Sequence, residues 1–324
     1  MLNKSSKSLI ICLTPLQMLI AGKIIEQQSD EFDLLVITVD DNYKYQYYYE
    51  KLKEKCNKSY YYVYQRLSVL ENIKQFFKFK KNINKKLDFD DYTSIYFASI
   101  DSRHCQYIFS KLRMDVKLMT FDDGTANIVK NSIYSYDKSN FLKKIIMYLL
   151  GVKHSIGSLR KRSIRHYTIY NNIDNVFTNL NFIELMPSSI LLNGIGREKK
   201  NIFLGQPIKE LFDGNESFDL NFMLEKYNIE DYFPHPRESE ENIGDVNIIK
   251  TNLVFEDYIL NIFDQNFSKI KVYTFVSSAA LNVVNINGVE VNFMFNSYLM
   301  EKYSDIYSLA EKLGANLVNL DNHE

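Results

Sequence analysis

Ser8-Leu9-Ile10-Ile11-Cys12-Leu13-Thr14-Pro15-Leu16-Gln17-Met18 decides how the chain is read. Its first half is an apolar, β-branched run of strand length. Thr14, Pro15 and Gln17 then break the apolarity, and an amphipathic stretch runs from Pro15 to Gln28. A strand that turns directly into a helix opens a parallel α/β unit. Lysines precede it as in a signal peptide, but the polar break at Thr14 to Gln17 does not suit an apolar leader core. No other apolar run approaches the roughly 20 residues that span a bilayer. The expectation is a cytoplasmic protein, soluble or peripheral at the inner face of a membrane.

Working outward, Leu34 to Val39, Tyr60 to Tyr64, Ser94 to Ala98 and Val116 to Phe121 read as further buried strands, spaced by helical stretches such as Asp101 to Leu112. After an irregular region the rhythm restarts with Asn201 to Leu204, a strand before His235, then Lys271 to Phe275 and Val289 to Met294. Helices are suggested at Glu256 to Phe263 and Tyr303 to Lys312. A chain of 324 residues, 46% hydrophobic, has room for two such domains. Asn193-Gly194-Ile195-Gly196 and the charged run after it break the pattern, so the domains are drawn as residues 1–195 and 196–324. The fold class is α/β: two Rossmann-like lobes with parallel sheets. Ligands of such lobes sit at the carboxyl ends of the strands, and facing lobes would share one cleft.

Formal charge is −1, from 39 basic and 40 acidic residues, so there is no bias toward polyanions and nucleic acid is not an expected partner. Cys12, Cys56 and Cys105 form neither a disulfide ladder nor a metal-binding CxxC pattern, which suits a reducing compartment. From Ser139 to Ile173 there is no acidic residue. Lysines and arginines gather there around Ile145-Ile146-Met147-Tyr148-Leu149-Leu150. Residues 140–166 therefore read either as a peripheral contact for anionic lipid or as a solvated basic helix beside an interface.

Four strand-end segments carry the chemistry. His235 stands in Tyr232-Phe233-Pro234-His235-Pro236-Arg237, where two prolines remove backbone donors and stiffen the loop, as suits a proton donor with a set ring direction. Asp122-Asp123-Gly124 offers a general base, a cap or half of a metal site. Gly205-Gln206-Pro207 follows the first strand of the second lobe, where backbone N–H groups approach a phosphate, although a plain turn has the same sequence. Ser277-Ser278 opens a helix and either holds a phosphate or merely caps it, and Glu256 at another helix start either favours the dipole or binds ribose hydroxyls.

Cys12 to Met18, Tyr96-Phe97-Ala98-Ser99, Phe121 to Thr125, His166-Tyr167-Thr168-Ile169-Tyr170, Pro234 to Arg237, Glu256 to Leu260, and Tyr273 through Leu281 together resemble the bacterial sialyltransferases of glycosyltransferase family 52. The resemblance implies a GT-B arrangement, CMP-sialic acid as donor, inversion at the anomeric carbon and no metal or other cofactor. It also implies a terminal galactose of lipooligosaccharide or capsule as acceptor, with 2,3 linkage, and a homodimer. Carried over by motif, His235 and either Asp123 or Asp122 are catalytic. Gly205, Gln206, Pro236, Glu256, Thr274, Ser277 and Ser278 meet the donor, and Thr14, Gln17 and Gly124 lie on the acceptor side. Relatives place a carboxylate directly after the Gly-x-Pro turn, where this chain has Ile208, so Glu210 and Asp213 stand in reserve as base. The competing expectations are a UDP-glucose or other nucleotide-sugar transferase of the same fold, and a non-catalytic glycan or nucleotide-sugar binder.

Overall fold

The computed structural model describes residues 6–130, 132–135, 141–185, 198–212, 219–235, 237–238, 243–264 and 267–321. The chain divides into two compact units, residues 1–169 with 174–185, and residues 170–173 with 186–324. The boundary read at 195 and 196 lies outside the described residues.

In the first unit, β1 (Lys7–Cys12), β2 (Glu31–Thr38), β3 (Lys58–Val63), β4 (Ser94–Phe97), β5 (Lys117–Phe121), β6 (Ser163–Thr168) and β7 (Leu180–Phe182) form one sheet. Their order is β3-β2-β1-β4-β5-β6-β7, and every neighbouring pair is parallel. Because β4 returns to pair with β1, the order reverses between those two strands, and their carboxyl ends flank a crevice. Leu9 to Cys12 are fully buried, which is why the run reads as continuously apolar. Alternate residues Leu9, Ile11, Ile95 and Phe97 share a core with Phe76 and Phe79 of the helix Val69–Lys86. The strand expected from Leu34 starts earlier, at Glu31. Asp33 enters the interior there because Lys7 pairs with it at 3.1 Å and the Tyr92 hydroxyl donates to it at 2.8 Å.

The second unit repeats the plan with β8 (Glu198–Leu204), β9 (Asp231–Phe233), β10 (Asn247–Ile248), β11 (Phe267–Thr274), β12 (Val289–Phe295) and β13 (Asn316–Asn319), ordered β10-β9-β8-β11-β12-β13 and parallel throughout. Ile202, Phe203, Val272 and Phe293 are fully buried in it. The order reverses between β8 and β11. Gly205-Gln206, His235 and Ser277-Ser278 follow β8, β9 and β11, three adjacent strands, at their carboxyl ends. No helix among the described residues is long and apolar enough to cross a membrane.

Candidate active site

A pocket of about 440 Å³ opens at the reversal point of the first unit, lined among others by Thr14, Arg66, Ser99, Asp101, Arg103 and Asp123. Its volume is that of a small-ligand site. Gln17 organises the floor. Its Oε1 accepts from the Leu13 N–H at 2.7 Å, which fixes the amide so that Nε2 donates to Ser99 Oγ at 2.9 Å and to Asp123 Oδ1 at 2.6 Å. Ser99 Oγ and the Tyr134 hydroxyl donate to Asp123 Oδ2 at 2.9 and 2.5 Å. A carboxylate has about four acceptor positions. Three are filled here among the described residues, and the fourth is on Oδ1. Thr14 accepts from the Gln17 N–H at 3.3 Å and so caps the helix Pro15–Glu26. Gly124 has φ +56°, a left-handed turn immediately after Asp123 that favours glycine.

Asp122, the other half of the expected base pair, is sealed in the interior. It is fully buried. Oδ1 accepts from Asn127 Nδ2 and pairs with His166 Nε2, both at 2.9 Å, and Oδ2 accepts from the Ile169 N–H at 2.7 Å. The His166 ring stacks on Phe177 at 4.2 Å, and its Nδ1 lies 2.9 Å from Thr120 Oγ1. With no face toward the pocket, Asp122 holds β5 to β6 and is not a base. Truncating one member of a buried hydrogen-bonded pair strands the other, at about 3–5 kcal/mol. Asp122→Ala is therefore expected to lower the denaturant midpoint strongly, and a midpoint equal to wild type would contradict this bracing role.

In the second unit the half-buried His235 is held from both sides. Its N–H donates to Glu238 Oε2 at 2.8 Å, and its Nδ1 accepts from the Arg237 N–H at 3.1 Å. An accepting Nδ1 puts the proton of the neutral ring on Nε2. Glu238 also accepts from the Tyr232 hydroxyl at 2.9 Å, and burial pushes its carboxyl upward. Gly205 is required by close approach. A Cβ there would stand 2.4 Å from Glu238 Oε2 and 2.7 Å from the Tyr232 ring, so any larger residue displaces the carboxylate that anchors the histidine loop.

Gln206 and Thr274, expected at the donor, spend their side chains internally. Gln206 Oε1 accepts from the N–H groups of Phe275 and Val276 at 3.1 and 2.7 Å, and its Nε2 bonds the Val276 carbonyl. Thr274 is fully buried and donates to the Leu204 carbonyl at 3.1 Å. Both brace β8 against β11 at the reversal point, so their contribution is to the backbone that a ligand would meet. Ser277 caps the helix Ser278–Val283 by accepting from the Ala280 N–H at 3.5 Å, and Ser278 is exposed. Glu256 is 3% exposed, and its Oε1 accepts from Asn282 Nδ2 at 2.6 Å. Asn282 in turn accepts from the Tyr170 hydroxyl. Glu210 is ion-paired with Arg237 at 2.8 Å, while Pro236 and Asp213 lie outside the described residues. Among the described residues no group of three or more His, Cys, Asp or Glu side chains is placed to hold a metal ion.

Ser99, Asp101 and Tyr134 carry pocket geometry that the sequence reading did not assign. Ser99 had a signal, since it lies just past the carboxyl end of the strand that pairs with β1. Tyr134 had none, because it lies in an irregular stretch and reaches Asp123 only through the tertiary fold.

Two Rossmann-like units in succession, each a parallel sheet with its polar cluster at the order reversal, define an α/β protein of GT-B type. The UDP-N-acetylglucosamine 2-epimerase of Rickettsia bellii shares this fold, with a TM-score of 0.50 at 12% identity over 89% of this chain and 78% of that one. The chain belongs to glycosyltransferase family 52, whose pattern matches residues 32–296. It is 33% identical, over 97% of its length and 99% of the relative's, to the CMP-N-acetylneuraminate:beta-galactoside alpha-2,3-sialyltransferase of Pasteurella multocida. It is also 31% identical, over 90% of its length and 92% of the relative's, to the N-acetyllactosaminide alpha-2,3-sialyltransferase of Haemophilus influenzae, and 28% identical, over 98% and 86%, to the enzyme of that name from Neisseria meningitidis.

Proposed function

We propose that the protein is an inverting sialyltransferase that moves sialic acid from CMP-sialic acid to a terminal β-galactoside of a bacterial surface glycan, lipooligosaccharide or capsule, with 2,3 linkage. The observation that carries the reading is Asp123, a carboxylate in a sugar-sized pocket with one acceptor position unfilled among the described residues. Full-length similarity to three alpha-2,3-sialyltransferases supports the donor and the linkage.

The work divides into two roles. In the first unit the acceptor hydroxyl donates to Asp123 Oδ1, which takes its proton as the oxygen attacks the anomeric carbon. In the second unit CMP departs, and the His235 Nε2–H together with the N–H groups at Ser277 and Ser278 meets the charge growing on its phosphate. Phosphate leaves readily, so charge stabilisation outweighs full proton transfer, and we assign the step no metal. Glu256 would meet the ribose only by sharing its carboxylate with Asn282.

The deciding experiment incubates the protein with CMP-sialic acid and a panel of galactosides, with and without EDTA, followed by linkage analysis of the product. Transfer to galactose through a 2,3 bond in both conditions is expected. Turnover of UDP-glucose in place of CMP-sialic acid would move the protein to the other donor class, and binding without donor consumption would make it a non-catalytic module.

We further propose a peripheral contact with anionic lipid. In the helix Phe141–Leu149, Ile145, Ile146, Tyr148 and Leu149 are 41–78% exposed, a cluster of large apolar side chains that water does not favour. The exposed Lys144 and Lys153 line one surface with Ile145, Tyr148 and Leu149, and no acidic residue interrupts residues 139–173. Each cation is worth about 1 kcal/mol beside an anionic surface. Cosedimentation with phosphatidylglycerol vesicles is expected, with little on phosphatidylcholine and a marked loss for the double substitution Ile146→Glu, Leu149→Glu. Equal binding by that variant would remove the helix from the contact.

A further inference from the structure

We infer that Asp101 is a positioning residue for the base, acting through the Tyr134 hydroxyl to set how tightly Asp123 holds the acceptor's proton. The inference rests on the reading of Asp123 as base and adds a control to it. Tyr134 is 1% exposed, its N–H donates to Ser132 Oγ at 3.2 Å, and its carbonyl accepts from Arg160 Nη1 at 3.1 Å, so the residue is held in place. Its hydroxyl lies 2.5 Å from Asp123 Oδ2 and 3.2 Å from Asp101 Oδ1. One hydroxyl has one proton and bonds one carboxylate well at a time. Burial, and then the charges of Asp123 and Asp101, hold the phenol well above its ordinary range, so Tyr134 is a permanent donor whose only freedom is the direction of its O–H.

The step balances as follows. The bond from the anomeric carbon to phosphate oxygen breaks with its electron pair going to CMP, the acceptor oxygen bonds that carbon, and the acceptor proton passes to Asp123 Oδ1. A protonated Asp123 accepts poorly, so the Tyr134 O–H turns to Asp101 Oδ1. The Asp101 charge thus favours the protonated base, and the Tyr134 bond favours the ionised one. Asp123 then returns its proton to water and the hydroxyl swings back.

Other charged and titratable groups face the pair and are the same in wild type and variants: Arg103, Lys144, Lys153 and His154 line a second pocket with Asp101. Arg66 and Arg103 line the Asp123 pocket on other segments, and His104 beside them is kept neutral, its pKa lowered to about 3 by burial and then by Arg103. Gln17 and Ser99 are uncharged, and Asp122 is consumed by His166. Burial, followed by the Asp123 charge, raises the carboxyl of Asp101.

The test is the pH profile of kcat/KM for sialyl transfer. Asp101→Asn removes a like charge, so Asp123 releases its proton more easily and the acid limb is expected at lower pH, by on the order of one unit. Tyr134→Phe removes the donor to the ionised form, so the limb is expected at higher pH by a similar amount. Opposite displacements in two folded variants are not the signature of a general loosening. Thermal unfolding checks folding, and Asp101→Asn decides alone if Tyr134→Phe does not fold. An unmoved limb in folded Asp101→Asn overturns the inference, whereas full activity in Asp123→Asn would instead overturn the reading of the base.

Discussion

Asp123→Asn is expected to abolish sialyl transfer, lowering kcat on the order of 10³- to 10⁴-fold, while CMP affinity stays unchanged. The amide keeps the shape and volume of the carboxylate, so its loss is chemical. The site makes the loss severe for a second reason. Tyr134 and Ser99 both donate to Oδ2 and Gln17 donates to Oδ1, an arrangement that suits an acceptor-only group. An amide nitrogen in either position faces a donor, so the substitution also disturbs the contacts that aim the side chain. Calorimetric titration with CMP separates the cases, because the residues proposed to meet CMP belong to the other unit. Normal transfer by this variant would move the role to Glu210 or Asp213.

His235→Ala is expected to lower turnover at saturating CMP-sialic acid on the order of a hundredfold or more, with donor binding largely retained. The ring is built for direction. With Nδ1 accepting from Arg237 and the backbone N–H tied to Glu238, the neutral ring carries its proton on Nε2. That proton matters most when charge accumulates on the departing phosphate, so its removal should fall on kcat more than on affinity. Single-turnover measurements resolve the chemical step from product release, and an unchanged rate constant would take His235 out of the mechanism.

Much of the scaffold is readable because buried parallel strands must be apolar on both faces. Ser8 to Cys12 and Ser94 to Ala98 announce themselves, and the reading places them within a residue of β1 and β4. β10 and β13 escape it, since Asn247-Ile248 and Asn316-Leu317-Val318-Asn319 are short and bounded by asparagine, and sheet position alone makes them strands. The division of labour in Asp122-Asp123 is equally invisible. Neighbouring carboxylates have the same chemistry, and which one turns inward depends on His166 arriving from β6, 44 positions away. Gln206 and Thr274 were legible as residues at the right strand ends. Their side chains turned out to serve the backbone because the reversal point itself has amide groups that need partners.

The polypeptide visits the second unit at residues 170–173, goes back for 174–185, and only then leaves the first unit for good. A gene truncated after codon 169 would lose β7, the edge strand, and leave β6 paired with β5 alone. One truncated after codon 185 would keep β7 yet carry Tyr170 without Asn282, the hydroxyl's acceptor. No single cut yields two intact halves, so recombination that swaps second units between family members would have to exchange the 170–173 segment together with everything beyond residue 185.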